Sequence, residues 1–253
     1  MKLATWNVNS LKVRLPHVLK WLAENPVDVL CLQETKQQDN DFPRETLMEA
    51  GYHSVFSGQK TYNGVAILSK ETVCDVQHGI PGFSDDQKRV ITATLNEVRV
   101  VCVYVPNGQS VDSDKYYYKL DWLRALREWL KDELARYPKL VVLGDYNIAP
   151  EDRDVHDPVA WQGSVLVSEA ERIQFNNLLK LGLHDSFRLF EQSGKFYTWW
   201  DYRMMAFRRN RGMRIDHILV SDTLVAQCKG CLIDKGPRKL ERPSDHAPIV
   251  LEL

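Results

Sequence analysis

Acids, amides and one histidine stand at the ends of apolar runs that lie far apart in this chain. The run LVVL, residues 140–143, stops at Gly144 and is followed by Asp145, Tyr146 and Asn147. VLCLQ, residues 29–33, ends on Glu34, with Thr35 and Lys36 behind it. WNVNSL carries Asn7 and Asn9, YVPNG carries Tyr104 and Asn107, RIDHIL carries Asp216, and SDHAPI carries Asp245 and His246. Carboxylates and amides suit a hard divalent cation, and Mg²⁺ is commonly held by one or two carboxylates, with water and substrate phosphate completing its shell. No His and Cys cluster competes for a softer metal, and Cys228-x-x-Cys231 lacks a second pair of ligands. A carboxylate placed directly after a buried run is costly without a cation or donors, so these groups need one another. Capping accounts for any one of them singly. It does not require an acid at the end of the most apolar strands in separate parts of a chain.

His246 adds proton chemistry. An imidazole beside carboxylates has a raised pKa and can carry positive charge towards a phosphate oxygen or exchange a proton with an attacking water. Asp216 is the natural carboxylate to orient it from across the fold, although Asp245-His246 next to a proline also suits a plain turn. The other histidines, His17, His53, His78, His156, His184 and His217, lack such neighbours and are expected at the surface or behind the site. Residues 197–214, YTWWDYRMMAFRRNRGMR, interleave Arg203, Arg208, Arg209, Arg211 and Arg214 with aromatic and methionine side chains. Guanidinium groups contact phosphates while aromatics stack or wedge against nucleotides. The formal net charge of -1 gives no global pull towards a polyanion, so a nucleic-acid face must be local, and this stretch supplies one unless it is only a solvated loop.

These side chains need strands to deliver them. Residues 2–7, 29–33, 53–57, 65–68, 73–77, 90–95, 99–105, the run from Leu140, 197–200, 215–220, 229–234 and 249–253 read as strands. Helices are expected with Pro16 in a first turn ahead of Val18, Leu19 and Leu22, at 44–50 before Gly51, at 115–137, and at 169–181 between Ser168 and Gly182. Asn63-Gly64 between two strand-like runs signals a hairpin. Many short strand-to-strand connections argue against a purely parallel sheet and for an α/β (α+β) fold of two packed sheets flanked by helices. No linker or repeat marks a seam, so residues 1–253 are read as one domain. Five cysteines, two of them inside apolar runs, suggest cytoplasmic core usage. No stretch approaches the roughly 18 apolar residues of a membrane span, and the amino terminus does not read as a leader.

In these motifs the chain closely resembles the exonuclease III family of apurinic/apyrimidinic endonucleases, within the endonuclease/exonuclease/phosphatase superfamily. WNVNSL, LCLQETK, GYH, GQKTYNGVAILSK, YVPNG, KYYYKLDWL, LGDYNIAP, YTWWDYR, NRGMRIDHIL and SDHAPI occur in family order. The resemblance implies a four-layer sandwich of two mixed, mainly antiparallel sheets between helices, and a Mg²⁺ or Mn²⁺ requirement. It implies a monomer acting on double-stranded DNA with abasic sites or blocked 3′ ends, by cleavage 5′ to the abasic site, 3′-to-5′ exonuclease and 3′-phosphatase activity in base excision repair. By resemblance, Glu34 is the principal metal ligand with Asn7 holding it, and Asp145 positions or deprotonates the attacking water. Asn147 contacts the phosphate, with Asp145 and Asn147 also near the metal, and Asp245 adds a further metal contact. Asp216 pairs with His246, Tyr104 donates to the phosphate or leaving group, and Lys36, Asn107, Arg208 and Arg211 face the DNA. Trp199, Met213 and Ile215 match residues lining a small apolar pocket for a base-less sugar. Residues 151–167, with His156 and Trp161, fall where the family varies near substrate, and Ser110 stands where some relatives have a DNA-penetrating arginine. A small-molecule or lipid phosphoesterase on the same metal core, or a non-catalytic DNA-binding protein, are the competing readings.

Overall fold

Strands that are apolar along their whole length have no face to give to water, and the chain meets this by stacking two sheets and covering each with helices. The computed structural model describes residues 1–190, 192 and 194–253. In chain order the elements are β1 (Lys2–Asn7), α1 (Leu11–Glu24), β2 (Val29–Gln33), α2 (Arg44–Glu49), β3 (His53–Ser57), β4 (Val65–Ser69), β5 (Cys74–His78), β6 (Val90–Leu95) and β7 (Val98–Tyr104). There follow α3 (Asp114–Arg136), β8 (Leu140–Asp145), α4 (Pro158–Trp161), α5 (Glu169–Leu179), β9 (Leu183–Asp185), β10 (Asp216–Ser221), α6 (Asp222–Val225), β11 (Gly230–Ile233) and β12 (Ile249–Glu252). Every residue of β2, β4 and β8 is buried.

The strands form two six-stranded sheets, ordered β11-β12-β1-β2-β4-β3 and β5-β6-β7-β8-β10-β9. Each sheet has one parallel pair, β1–β2 and β7–β8, and every other pairing is antiparallel. A parallel pair needs a long crossover; α1 supplies one and α3 the other. Leu3, Cys31 and Ile67 of the first sheet share a core with Ile91, Val100, Val141 and Ile218 of the second. Outside, Trp21 and Leu47 pack on the first sheet and Leu123, Leu126 and Phe175 on the second. This is the expected four-layer sandwich. The two parallel pairs face each other across the core, so Asn7, Glu34, Tyr104 and Asp145 emerge at one rim.

Two glycines fix that rim. Gly144 has φ +154, and a Cβ there would sit 1.9 Å from the carbonyl oxygen of Val103, so only glycine lets β7 and β8 hold the register that aligns Tyr104 with Asp145. Gly64 has φ +90, and its Cβ would meet Thr35 Oγ1 at 2.1 Å. Asn63-Gly64 is left-handed as a hairpin pair would be, but it is not a two-residue turn. The Asn63 and Gly64 carbonyls accept from Lys36 N and Thr35 N, so the dipeptide clamps the segment behind Glu34.

Other expectations shift with tertiary context. Helix α1 starts at Leu11, five residues before Pro16, because Leu11 is buried and its N–H donates to Thr35 O. Pro16 therefore lies inside the helix at an exposed position, where one lost backbone bond is tolerated. Residues 197–200 are not a strand; Trp199 makes only isolated bridges to Met213 and His246. The short β9 had no apolar run to announce it. Among the described residues, no helix is long and apolar enough to cross a membrane.

Candidate active site

The rim residues interlock across the two sheets. Asn7, the last residue of β1, donates its amide to Glu34 Oε1 and to Asp145 Oδ2, both at 2.9 Å. The second Glu34 oxygen meets the Lys36 ammonium at 2.8 Å, and that ammonium also donates to Asn9 Oδ1 at 2.6 Å. Asp145 Oδ1 accepts from the backbone N–H of Asn147 at 2.9 Å. Glu34, Lys36, Asn9, Ser10 and Asn147 all adopt positive φ. Such strained backbone persists only where its surroundings over-determine it.

The antiparallel register of β8 and β10 places Asp216 opposite Asp145. His246, from the segment before β12, lies between them. Its Nδ1 is 2.9 Å from Asp216 Oδ2, and its Nε2 is 3.8 Å from Asp145 Oδ2. Burial pulls the imidazole towards its neutral form, but Asp216 first and Asp145 second overcome this and raise its pKa to about 10. Burial likewise pushes Asp145 up to about 7, with His246 and the Asn7 amide opposing and Asp216 reinforcing the rise. The Tyr104 hydroxyl is held well above its ordinary value by burial and by the Glu34 and Asp145 carboxylates, so it remains a donor. The Arg89 guanidinium lies 4.6 Å from its ring centre. Asn107 donates to Asn147 Oδ1 at 3.0 Å, and Asn147 donates to Val105 O at 3.1 Å.

Glu34, Asp145 and His246 present ligand atoms that all lie within 4.8 Å of one another. With Nδ1 committed to Asp216 and its charge favoured, His246 is a poor ligand, which leaves the Glu34 and Asp145 carboxylates, braced by the Asn7 amide, as the oxygen ligands. That set fits a hard divalent cation, and a carboxylate as buried as Asp145 needs one to ionise at low cost.

The sequence profile of the Endonuclease/Exonuclease/phosphatase family matches residues 4–246 of this chain. The chain belongs to that family. It is 37% identical over 266 aligned positions to exodeoxyribonuclease III of Haemophilus influenzae, covering 100% of this chain and 99% of that protein. Among solved structures, the 3′ phosphatase NExo from Neisseria, bound to a product DNA hairpin, superposes with a TM-score of 0.98 at 52% identity, covering 100% of this chain and 99% of that one. An AP endonuclease from Archaeoglobus fulgidus gives 0.95 at 41%, covering 99% and 98%. Membership in the family makes the chain a hydrolase of nuclease type, and the cluster of Glu34, Asp145 and His246 at the rim its candidate centre.

Around this centre the endonuclease/exonuclease/phosphatase fold arranges the remaining candidates unequally. Met213 and Ile215 are buried in one apolar cluster with Val155, Leu166 and Val167, and Trp161 and Trp199 pack against it. Residues 151–167 therefore form much of the wall facing Met213, and the His156 ring lies edge-on to Trp161. Asp245 is outside the cluster of Glu34, Asp145 and His246; its oxygens accept from Trp199 Nε1 at 3.0 Å and Asn9 Nδ2 at 2.9 Å, tying Trp199 to the rim. Arg208, Arg209 and Arg211 are exposed on the loop, and Arg203 pairs with Asp201.

Arg214 does not belong to that exposed face. It is 1% exposed, held by Asp154 and Asp185 at 2.7 Å each, because its buried neighbours Met213 and Ile215 carry it into the interior. His217 is likewise fully buried rather than at the surface; Nε2 is 2.9 Å from Ile148 O and Nδ1 is 3.0 Å from Arg214. Burial and then the Arg214 charge lower its pKa to about 4. Two charged residues outside the strand-end pattern also reach the rim: Lys119 and Glu171, both 0% exposed. Their sequence signal is a lysine on the apolar stripe of α3, one turn before Leu123, and a glutamate three residues after the Ser168 cap.

Proposed function

We propose that this chain is a divalent-metal-dependent DNA-repair phosphodiesterase of exodeoxyribonuclease III type, removing nucleotides and phosphate from 3′ ends of duplex DNA and nicking 5′ to abasic sites. The observation that carries the reading is the junction of Asn7–Glu34 with Asp145–His246–Asp216 across two sheets, beside an exposed arginine loop. Glu34 and Asp145, with Asn7 and Asn147 at their edge, would hold Mg²⁺ or Mn²⁺, which supplies neutralisation of phosphate charge when bound.

The chain's own groups have distinct tasks in this reading. Asp145 orients an attacking water through its carboxylate and accepts its proton. His246, held protonated by Asp216, donates to a phosphate oxygen as negative charge builds there. Tyr104 donates to the phosphate or leaving group, and Asn147 and Asn107 hold the phosphate in line. Lys36, Arg208 and Arg211 contact the DNA backbone. Trp199, with Met213 and Ile215 packed beneath it, supplies an apolar surface for a sugar that carries no base. Asp245 serves by fixing Trp199 and Asn9. The protein acts as a monomer, and its five unpaired cysteines support a reducing, cytoplasmic setting.

The test is phosphate release from a 3′-phosphorylated duplex oligonucleotide with Mg²⁺, then after chelation, then with Mg²⁺ restored. Activity should vanish and return. A fully active chelated enzyme, or none with Mg²⁺, would refute the reading.

A further inference from the structure

We propose that Lys119 and Glu171 are positioning residues for the hydrolytic reaction: a buried ion pair that holds the Asn107 and Asn147 amides in working geometry. The inference rests on the nuclease reading above. Both side chains are 0% exposed, and burying a lysine and a glutamate is rarely the most stable way to fill a core. Here the ammonium has an acceptor for each proton. It donates to Asn107 O at 3.1 Å, to Asn147 O at 2.6 Å and to the Glu171 carboxylate.

Those acceptors come from three separate segments: the connection after β7, the connection after β8 and the first turn of α5. Lys119 is thus the shared anchor of the two irregular loops that present Asn107 and Asn147. The loops also meet each other through the Asn107 amide on Asn147 Oδ1 at 3.0 Å. Asn147 itself sits at φ 50, a conformation that needs external support. Without the ammonium, the buried Asn147 carbonyl and the partly buried Asn107 carbonyl lose their donor and the loops are free to relax.

Glu171 extends the anchor to the pocket. Its Oε1 accepts from Leu166 N at 3.0 Å, and its Oε2 accepts from Ser168 N at 3.2 Å and Ser168 Oγ at 2.5 Å. Ser168 Oγ lies 2.7 Å from the Tyr116 hydroxyl, which closes the network back onto α3. Leu166 and Val167 belong to the apolar cluster of Met213 and Ile215. One pair therefore sets the distance between the phosphate-holding amides and the pocket wall. Being neutral as a unit, it acts through geometry and not through long-range charge. A displacement of 1 Å at a reacting centre can cost about a hundredfold in rate.

The experiment is a mutant cycle in the full-length enzyme with saturating Mg²⁺, following phosphate release from a 3′-phosphorylated duplex. Lys119→Met/Glu171→Gln removes the charges while keeping size, and it is made in the native background and in Asn107→Ala/Asn147→Ala. In the native background kcat should fall at least about tenfold with KM changed less than about threefold. In the asparagine-free background the same change should lower kcat by less than about threefold, because the groups it positions are gone. If the paired variant does not fold, Glu171→Gln alone enters the same cycle under the same criteria. An unchanged kcat in a folded variant, or an equal fall in both backgrounds, overturns the proposal. Failure of the nuclease reading is distinct: the native enzyme itself would release no phosphate.

Discussion

Adding a divalent cation should stabilise this protein far more above pH 7 than below it, and Asp145 is the reason. In the cation-free protein burial raises its pKa from 3.8 to about 7, a difference that corresponds to about 4 kcal/mol. Because the folded value is the higher one, this contribution to stability is complete below pH 3.8, is lost as pH rises towards 7, and is absent above. A cation at the Glu34–Asp145 pair returns most of that loss, since it neutralises the carboxylate whose ionisation is costly. For a chain of this size, about 2–4 °C per kcal/mol sets an upper limit of about 8–16 °C on the extra rise. His246, raised to about 10, loses its own contribution between pH 6.5 and 10, in samples with and without cation alike. Calorimetry with chelator or millimolar Mg²⁺, at about pH 5.5 and about pH 8.5, gives the difference directly. Asp145→Asn is the control and should show the same rise at both values. A native enzyme whose rise is equal at both, or greater in acid, would refute the reasoning.

Other outcomes follow from individual residues. Glu34→Ala and His246→Ala should each lower cleavage by about a thousandfold or more while circular dichroism stays native; normal rates in either would remove them from the centre. Arg208→Ala and Arg211→Ala should weaken DNA binding across sequences and reduce the slope of log affinity against log salt by about one each; unchanged slopes would return the loop to a solvated one. His217, with its pKa lowered to about 4, favours the neutral form when folded. Its contribution is present above pH 6.5 and lost as pH falls towards 4, at most about 3 kcal/mol. Urea unfolding of the native protein and of His217→Gln should differ in slope across that window, and parallel profiles would contradict the burial argument.

The candidate site at the rim was legible because its residues break a rule visible in one dimension. An acid at the end of an all-apolar run needs a partner, and Glu34, Asp145 and Asp216 each broke the pattern that way. Sheet count and helix placement followed from the same periodicities. Contacts across the sandwich were not legible. Nothing local in WNVNSL says that Asn7 donates to both Glu34 and Asp145, or that Asn63-Gly64, at the end of the β3–β4 hairpin loop, also clamps residues 35–36. Arg214 and His217 looked like members of a charged stretch and a loose histidine set; only Asp154 and Asp185, brought from elsewhere, make their burial affordable. Residues 197–200 have strand-like composition, yet Tyr197 and Trp200 pack into one cluster, Trp199 against another, and Thr198 Oγ1 accepts from the backbone of Ile215 and Asp216, so tertiary packing overrode the propensity.

The most direct measurement uses an end-labelled DNA duplex carrying one internal abasic site, compared with an intact duplex ending in a 3′ phosphate. Each is incubated with native enzyme and with Glu34→Ala in Mg²⁺, and product lengths are resolved. Native enzyme should yield a nick on the 5′ side of the abasic site, a shortening 3′ ladder or a lost terminal phosphate, and Glu34→Ala should yield none of these. Full-length, unmodified DNA from the native enzyme would contradict the claim that these side chains form a nuclease centre.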